Sequence, residues 1–299
     1  MEFPIHTIPF SDANYPLLLK EISDPPNSLY YRGALPGVFP IVGIVGTRKA
    51  SPEARSLARE TAEILSRNGF GVASGLAFGV DAAAHEGAIL GGTPTFAVLG
   101  NGLSGIYPRE HENLAREILE TGGGIFSEYE PDVPALPHRF LERNRIISGL
   151  SIAVVLIEVP LRSGALSTAR HATIQGRDVL VFANRPSNHQ YEGSHMLLRE
   201  GARFVASPEE VLEDIVATLF RYPGLELRER LPKNSPSRRP LENETERQVY
   251  EKLFQASAPL TVDNLAEITT LEIQALNRIL TGLLLSGIVM EEGGRFYIK

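Results

Sequence analysis

The 299-residue sequence contains no cysteine, no tryptophan and only three methionines. The lack of cysteine excludes disulfide bonds and thiolate metal sites. No stretch approaches the roughly 18 uninterrupted apolar residues that a membrane-spanning helix requires. The amino-terminal segment MEFPIHTIPF has neither the basic start nor the apolar block of a secretory signal peptide. Together these absences predict a cytoplasmic protein with no membrane anchor.

The charge balance is acidic, with 36 Asp and Glu against 29 Lys and Arg and a formal net charge of −7. This balance argues against non-specific coating of nucleic acid. It leaves room for a local cationic groove, because the potential in a cleft depends on nearby charges more than on the total. The length and the hydrophobic content of 43% predict two domains, of which one is large and has a substantial core.

Between about residues 38 and 218, short apolar runs alternate with helical patterns. The runs PIVGIVG, FGVAS, TFAVLG, GIFSE, IAVVLIE, DVLVFA and ARFVA are typical of buried strands. The clearest helix is predicted over 51–68, with Ser51 as the N-cap and proline at the first helical position. This alternation predicts a doubly wound α/β domain, whose mostly parallel sheet has helices on both faces. Ligands of such sheets bind beyond the carboxyl ends of the strands.

Composition and pattern divide the chain into four predicted parts. Residues 1–32 are expected to form an irregular extension with one short helix, and residues 33–220 the Rossmann-like domain. Residues 221–240, rich in proline, serine and arginine, are expected to be a linker. Residues 241–299 show three helical patterns followed by a hairpin, which predicts a small winged-helix domain.

The helical segment HRFLERNRIISGLS, residues 138–151, carries three arginines in this acidic chain. At 3.6 residues per turn, Arg139 and Arg143 fall on the same side as the apolar residues. Arginines seldom lie on an apolar face unless an anion meets them. The anion is either an internal carboxylate, with Glu158 as a candidate partner, or a ligand phosphate. Because one carboxylate cannot satisfy Arg145 as well, we expect mainly a phosphate.

Two turns that follow strands carry features of an anion site. The turn VGTRKASP places Arg48 and Lys49 at a helix start, where backbone N–H groups and the helix dipole favour an anion. It matches neither the dinucleotide fingerprint nor the Walker motif, and the alternative is a solvated turn. The turn SGLAFGVDAAAH begins with Ser74 and Gly75, and its glycines allow a ligand to approach the backbone.

The same segment contains Asp81 and His85, four residues apart on one helical face. Such a pair is compatible with the beginning of a metal site or a proton relay. Since no third ligand is evident, we expect a buried Asp–His pair that braces the helix.

A third turn, in EVPLRSGALSTARHA, follows the fifth strand. Ser163, Gly164 and Ser167 offer hydroxyls and N–H groups to a phosphate, and capping of the helix by Ser163 is an equally good interpretation. Phe140 either stacks on an unpaired base or belongs to the core. Three helix starts at one rim predict a track for a nucleic-acid backbone. No catalytic triad, metal cluster or cofactor motif is readable, so we expect neither an enzyme nor a cofactor.

At these residues the chain resembles the DNA-processing protein A family (DprA, also called Smf). The matching segments occur in order from about residue 15 to 215 and include IVGTRKAS, SGLAFGVDAAAHEGAI, FLERNRIISGLS, RSGALSTARHA and EGSHMLLREGARFV. The resemblance implies an extended Rossmann-like domain that binds and protects single-stranded DNA, dimerises, and helps to load the recombinase RecA during natural transformation. The candidate nucleic-acid contacts are Arg48, Lys49, Ser74, Gly75, Arg139, Phe140, Arg143, Asn144, Arg145, Ser163, Gly164 and Ser167.

One departure from the family pattern removes a cation, because Phe78 stands where SGLARGID usually has arginine or lysine. Two other function classes remain open. One is an enzyme resembling the nucleoside-monophosphate phosphoribohydrolases, although RSGALSTAR lacks the glutamate of their signature. The other is an interaction module, because residues 241–299 hold nine acidic and five basic residues and are poorly suited to reading DNA.

Overall fold

The computed structural model describes residues 3–37, 39–222, 224–225, 244–256, 259–269, 271–273, 275–277, 279–280, 289–292 and 295–298. The chain divides into two compact units, Met1–Arg230 and Leu231–Lys299, and each is described by itself. Within the described ranges, no helix combines the length and the apolar character needed to cross a membrane.

The first unit alternates strands and helices from its third strand to its last helix. Its elements are β1 (His6–Pro9), α1 (Leu17–Lys20), β2 (Ser28–Gly33), β3 (Ile41–Gly46), α2 (Pro52–Arg67), β4 (Gly71–Ser74), α3 (Val80–Gly91), β5 (Thr95–Val98), α4 (Glu112–Glu120), β6 (Gly124–Ser127), α5 (Pro137–Gly149), β7 (Ala153–Ile157), α6 (Ala165–Ile174), β8 (Asp178–Phe182), α7 (Glu192–Arg199), β9 (Arg203–Val205) and α8 (Pro208–Leu219).

The strands form one nine-stranded sheet in the order β1-β2-β6-β5-β4-β3-β7-β8-β9. All pairings from β6 across to β9 are parallel, whereas β1 and β2 are antiparallel at one edge. The predicted doubly wound, mostly parallel sheet is therefore confirmed. The strand order reverses between β3 and β7, and such a switch point leaves a crevice at the carboxyl ends of the strands.

The two faces of the sheet are covered by separate hydrophobic cores. Side chains along β3 alternate, so that Ile41 and Val45 enter one core while Val42 and Ile44 enter the other. The first core also contains apolar residues of α5 and α6, and the second contains those of α2, α3 and α8. The helices that follow the neighbouring strands β3 and β7 thus leave toward opposite faces, which opens the crevice between them.

Helix α2 begins where the sequence predicts. The Ser51 hydroxyl accepts a hydrogen bond from the Ala54 N–H at 3.1 Å, and Pro52 is the first helical residue. Small residues let α2 pack closely on α3, because a methyl group at Gly87 would collide with the Arg59 carbonyl. This close packing fixes the starts of both helices beside the crevice.

The expectation that residues 1–32 form an irregular extension is wrong. Strands β1 and β2 occupy this segment, and β2 pairs with β6, so the segment extends the main sheet. The short run SLYYRG places Leu29 in one core and packs Tyr30 against a different cluster on the other face. A lone alternating run of this length gives little periodicity signal, which is why sequence reasoning missed it.

The second unit contains α9 (Glu244–Gln255), β10 (Leu260–Thr261), α10 (Val262–Thr269), β11 (Val289–Glu292) and β12 (Arg295–Ile298). The antiparallel pair β11 and β12 forms the predicted hairpin, and β10 adds a third strand to its sheet. Apolar residues from α9, α10 and the hairpin share one core with Leu276 and Leu280. Residues 226–243, which include most of the predicted linker, and residues 281–288, which include the end of the predicted third helix, lie outside the described residues.

A truncation in β2 tests whether the amino-terminal strands are part of the main fold. Leu29 is fully buried, so Leu29→Ala is expected to lower the free energy of unfolding by roughly 2–5 kcal/mol, the usual cost of a core leucine. Leu17→Ala is the control, because Leu17 is 50% exposed. Urea unfolding followed by circular dichroism measures both. Equal, small effects would show that β1 and β2 are an appendage.

Candidate nucleic-acid interface

A cleft of about 320 Å³ opens at the switch point of the sheet. The loop between β3 and α2 forms one wall, and the loop between β7 and α6 forms the opposite wall. Helix α5 crosses between the loops. Of the predicted contact residues, those that line the cleft are Arg48, Lys49, Phe140, Arg143, Asn144, Ser163 and Gly164.

Three cationic side chains surround the cleft and are exposed. Arg48 and Lys49 belong to the first wall, and Arg162 belongs to the second. Among the described residues, none of the three is paired with a carboxylate. The cleft therefore concentrates positive charge in an otherwise acidic protein. Sequence reasoning missed Arg162, although it directly precedes Ser163 and follows a predicted strand.

The start of α6 presents backbone groups to the cleft. The Ser163 hydroxyl accepts a hydrogen bond from the Ala165 N–H at 3.2 Å, but the N-cap residue of α6 is Gly164 and not Ser163. The Asn144 amide donates to the Gly164 carbonyl and to the Ser167 hydroxyl, at 3.1 and 2.8 Å. Asn144 thus joins α5 to the start of α6. Ser167 lies behind this amide and does not line the cleft.

Arg143 forms part of the cleft floor, in a different position from the predicted one at the rim. Its side chain is only 3% exposed, and its guanidinium donates to the carbonyls of Gly75, at 2.9 Å, and Val98. Asp81 faces the guanidinium across Gly75, where an added methyl group would lie 2.6 Å from Arg143 and 2.7 Å from Asp81. Burial lowers the pKa of Arg143 to about 10, and Asp81 opposes that shift.

The predicted partnership of Asp81 with His85 is wrong. Asp81 accepts hydrogen bonds from the N–H groups of Gly75 and Ala77, at 3.1 and 3.4 Å. Burial raises the pKa of Asp81, whereas Arg143 acts in the opposite direction. His85 instead contacts the Thr95 hydroxyl on β5 at 2.8 Å, and burial lowers its pKa to about 3. Both side chains brace α3 through separate contacts.

Glu158 is also not the partner of Arg143 that the sequence suggested. This buried carboxylate accepts hydrogen bonds from both the N–H and the hydroxyl of Ser51, at 2.8 and 3.0 Å. Its backbone has a φ of 49°, a left-handed conformation that is uncommon for residues other than glycine. Glu158 therefore connects the end of β7 to the start of α2.

Two further predicted contacts have internal partners. Arg145 pairs with Glu128 at 2.8 Å and with Asp24 at 3.1 Å, so internal carboxylates neutralise it. It lies about 200° around the helix from Arg143, on the opposite side. Ser74 is fully buried and donates to the Ile44 carbonyl at 2.6 Å. These positions correct the expectation that Arg145 and Ser74 face a ligand here.

Arg139 and Gly75 also lie outside this cleft. The Arg139 guanidinium donates to the Pro134 carbonyl at 2.5 Å and lies 5.1 Å from the centre of the Tyr129 ring. Gly75 gives its carbonyl to Arg143 and its N–H to Asp81, so it builds the floor without lining the cleft.

Phe140 is half-buried and lies beside the cationic rim. Its ring centre is 5.2 Å from the Arg48 guanidinium carbon and 5.4 Å from the centre of the Tyr107 ring. A methyl group at Gly100 would lie 2.8 Å from the Phe140 ring, so close packing holds the ring in place. Tyr107, which is 48% exposed, was not predicted, because nothing in its local sequence distinguishes it from a loop residue.

No group of three or more metal-ligating side chains occurs in the ranges that the structure covers. The cleft offers a ligand exposed cations, the start of a helix and an aromatic face. Such a combination is chemically suited to an extended anion that carries flat rings.

Family models match nearly the whole chain. The model described as DNA recombination-mediator protein A matches residues 6–216. The DprA winged helix domain model matches residues 232–295.

Curated relatives give the same assignment. The chain is 42% identical over 211 residues to protein Smf of Escherichia coli. The aligned region covers 70% of this chain and 56% of the relative. It is 37% identical over 214 residues to the DNA processing protein DprA of Streptococcus pneumoniae, covering 71% and 74% of the two chains. The matched region thus spans only about half the length of the Smf relative.

Two solved structures are similar to the first unit. The crystal structure of DprA from Streptococcus pneumoniae superposes with a TM-score of 0.65 at 37% identity, covering 71% of this chain and 74% of that one. A DprA structure from Helicobacter pylori, described as showing a unique single-stranded DNA binding mode, has a TM-score of 0.65 at 30% identity. It covers 72% of this chain and 97% of that one.

Burial of His85 predicts a pH dependence of stability. Its pKa is about 3 in the folded protein and about 6.5 in the unfolded chain, so the unfolded chain binds a proton first as the pH falls. The free energy of unfolding should therefore decrease from about pH 6.5 toward pH 3, at up to about 1.4 kcal/mol per pH unit. His85→Gln should remove this contribution, as measured by urea unfolding at several pH values. His189→Gln, at an exposed histidine, should keep the slope; an unchanged slope in His85→Gln would contradict the assignment.

Proposed function

Since the chain belongs to the DNA recombination-mediator protein A family, we propose that it binds single-stranded DNA in the cleft between β3 and β7. The observation that carries the proposal is the set of three exposed cations around the switch-point crevice, Arg48, Lys49 and Arg162, which pair with no carboxylate in the described part of the chain. In a protein of net charge −7, these cations provide a local attraction for phosphate that the total charge does not.

The start of α6 supports a phosphate position between the walls. Gly164 is exposed at the N-cap, and Asn144 holds its carbonyl, which keeps the helix start oriented toward the cleft. The helix dipole there adds a sequence-independent attraction for an anion, while the N–H groups of Ala165, Leu166 and Ser167 are already bonded to Ser163 and Gly164. Successive phosphates would contact the two walls in turn.

Aromatic side chains support a preference for single strands. Phe140 lines the cleft, and Tyr107 lies next to its ring outside the cleft; both are partly exposed, so the face of an unpaired base can stack against them. Bases inside a duplex are already stacked and cannot use such a surface. The relative from Helicobacter pylori, whose description names single-stranded DNA binding, supports the same preference.

We further propose that the bound strand is protected and passed to the recombinase RecA during natural transformation. The description of the family as a recombination mediator supports this role. The protein acts in this proposal as a binding protein and not as an enzyme. The carboxylate at the strand end, Glu158, is bonded to Ser51 and does not line the cleft, so it is not placed to act on a ligand there.

A homodimer fits the free edge of the main sheet. Strand β9 is the last strand of the sheet, and its residue Phe204 is 54% exposed. An edge strand with an exposed aromatic side chain is suited to pairing with a second copy. A dimer would present two clefts to one strand, which increases the effective affinity.

Charge removal at the cleft tests the DNA interface. Arg48→Ala and Arg162→Ala should each weaken binding of an oligothymidine about tenfold or more, as expected for a lost charge-assisted contact. Each should also reduce the slope of log affinity against log salt by about 0.7. Fluorescence anisotropy across a salt series measures both quantities. Thermal melting should be nearly unchanged, because both side chains are exposed.

The matched control for these variants is Arg199→Ala. Arg199 is exposed at the end of α7, just before β9, and therefore lies at the opposite edge of the parallel strands. It should leave affinity unchanged. Equal losses in all three variants, tighter binding of duplex, or an affinity indifferent to salt would exclude the cleft as the site.

A charge at the edge strand tests the dimer. Phe204→Arg should convert the protein to monomers, because a dimer would bury two cations against each other. Leu90→Arg, which adds the same charge at a 62% exposed position on α3, should not. Light scattering after size exclusion measures the mass. Dimers that survive Phe204→Arg would place the interface elsewhere.

A further inference from the structure

The cationic wall formed by the loop between β3 and α2 is held at both of its ends. At the first end, the Thr47 carbonyl accepts a hydrogen bond from the Val80 N–H at the start of α3, at 3.3 Å. At the second end, Ser51 donates its N–H and its hydroxyl to Glu158. Arg48 and Lys49 lie between these two anchors. Their positions therefore depend on contacts that neither residue makes itself.

The contact between Glu158 and Ser51 connects the two walls of the cleft. Glu158 is the first residue after β7, and the chain continues from it into the opposite wall, which carries Arg162. The carboxylate is separated from Ser51 by 107 residues in sequence and is 2% exposed. A buried, charge-assisted contact of this kind is stronger and more sharply directed than an exposed one.

The Ser51 hydroxyl both donates and accepts a hydrogen bond. It donates to Glu158 at 3.0 Å and accepts from the Ala54 N–H at 3.1 Å, so the same oxygen caps α2 and receives its orientation from the carboxylate. The left-handed φ of Glu158 costs free energy for a residue with a side chain. A chain with no need of this contact would relieve the cost by placing glycine there.

Resting on the proposed DNA-binding function, we propose that Glu158 is a positioning residue for DNA binding: through Ser51 it holds the loop that carries Arg48, and so sets the spacing of the two cationic walls. The residue contacts no DNA. Its negative charge near a cationic cleft would by itself weaken phosphate binding, so removing it increases affinity if charge is its main effect. Positioning and charge therefore predict opposite signs for the same substitution.

The first measurement compares Glu158→Ala with Glu158→Gln in oligothymidine binding by the full chain. The amide of Gln retains an acceptor oxygen for Ser51 without the charge, whereas Ala retains neither. Glu158→Ala should weaken binding about tenfold and reduce the salt slope, as Arg48→Ala does. Glu158→Gln should bind close to the original protein. Tighter binding by both variants would overturn the proposal in favour of a charge effect.

The second measurement is a double-mutant cycle between Glu158→Ala and Arg48→Ala. If Glu158 acts through the loop, Arg48→Ala should cost little further affinity once Glu158 is gone. The pair Glu158→Ala and Arg199→Ala should be additive. If the losses of affinity from Glu158→Ala and Arg48→Ala are additive, and Glu158→Ala leaves the salt slope unchanged, then Glu158 supports only the fold. A smaller folded fraction lowers the apparent affinity without changing the salt slope.

Ser51→Ala keeps the test decisive should Glu158→Ala not fold. It removes the hydroxyl contact while the Ser51 backbone N–H remains, and should give a smaller loss that is also coupled to Arg48. A failure of the proposed DNA-binding function differs from a failure of the positioning role. In the first case the original protein would show no salt-dependent binding, so Arg48→Ala would have nothing to reduce. The positioning role alone would be refuted if Arg48→Ala weakened binding as expected while Ser51→Ala and Glu158→Ala, like Arg199→Ala, left the affinity unchanged.

Discussion

The buried guanidinium of Arg143 is the contact on which the cleft depends. It joins α5 to the chain that leaves β4, through the Gly75 carbonyl, and to the end of β5, through the Val98 carbonyl. Removing a cation from water costs several kcal/mol unless polar partners replace the lost solvent. Two carbonyl groups and the facing Asp81 supply that replacement. Helix α5 is thereby fixed at the carboxyl edge of the sheet, with Phe140 and Asn144 facing the cleft.

The arginines of α5 show how one short segment divides between structure and binding. Arg145 meets Glu128 and Asp24 on the far side of the helix, and Arg143 meets carbonyl oxygens in the interior. Neither needs a ligand anion. The cations left for a ligand come from the two loops that follow β3 and β7. The local positive field in this acidic protein thus depends on which cations are already paired with internal groups, and not on which segment contains the most arginines.

The fold was largely predictable, because apolar strands and amphipathic helices differ in period and length. The run PIVGIVG and the helix start at Ser51 carried that information locally. The partners of buried charges were not predictable in the same way. Ser51 is 107 residues from Glu158 in sequence whereas Arg143 is much nearer, and only the tertiary structure decides which of the two the carboxylate meets. The helical period alone, however, places Arg145 opposite Arg143, so that part of the error was avoidable.

Glycine shows why motif residues indicate a site without being its contacts. Gly75 and Gly79 suggested that a ligand approaches the backbone, and close approach does occur at both. At Gly75 the neighbours are Arg143 and Asp81, and at Gly79, with a φ of 81°, they are the backbone atoms of the loop that carries Arg48. A side chain at either position would displace the floor or the wall. The two glycines are therefore required to build the cleft. They affect a bound ligand only indirectly, through the geometry of the cleft.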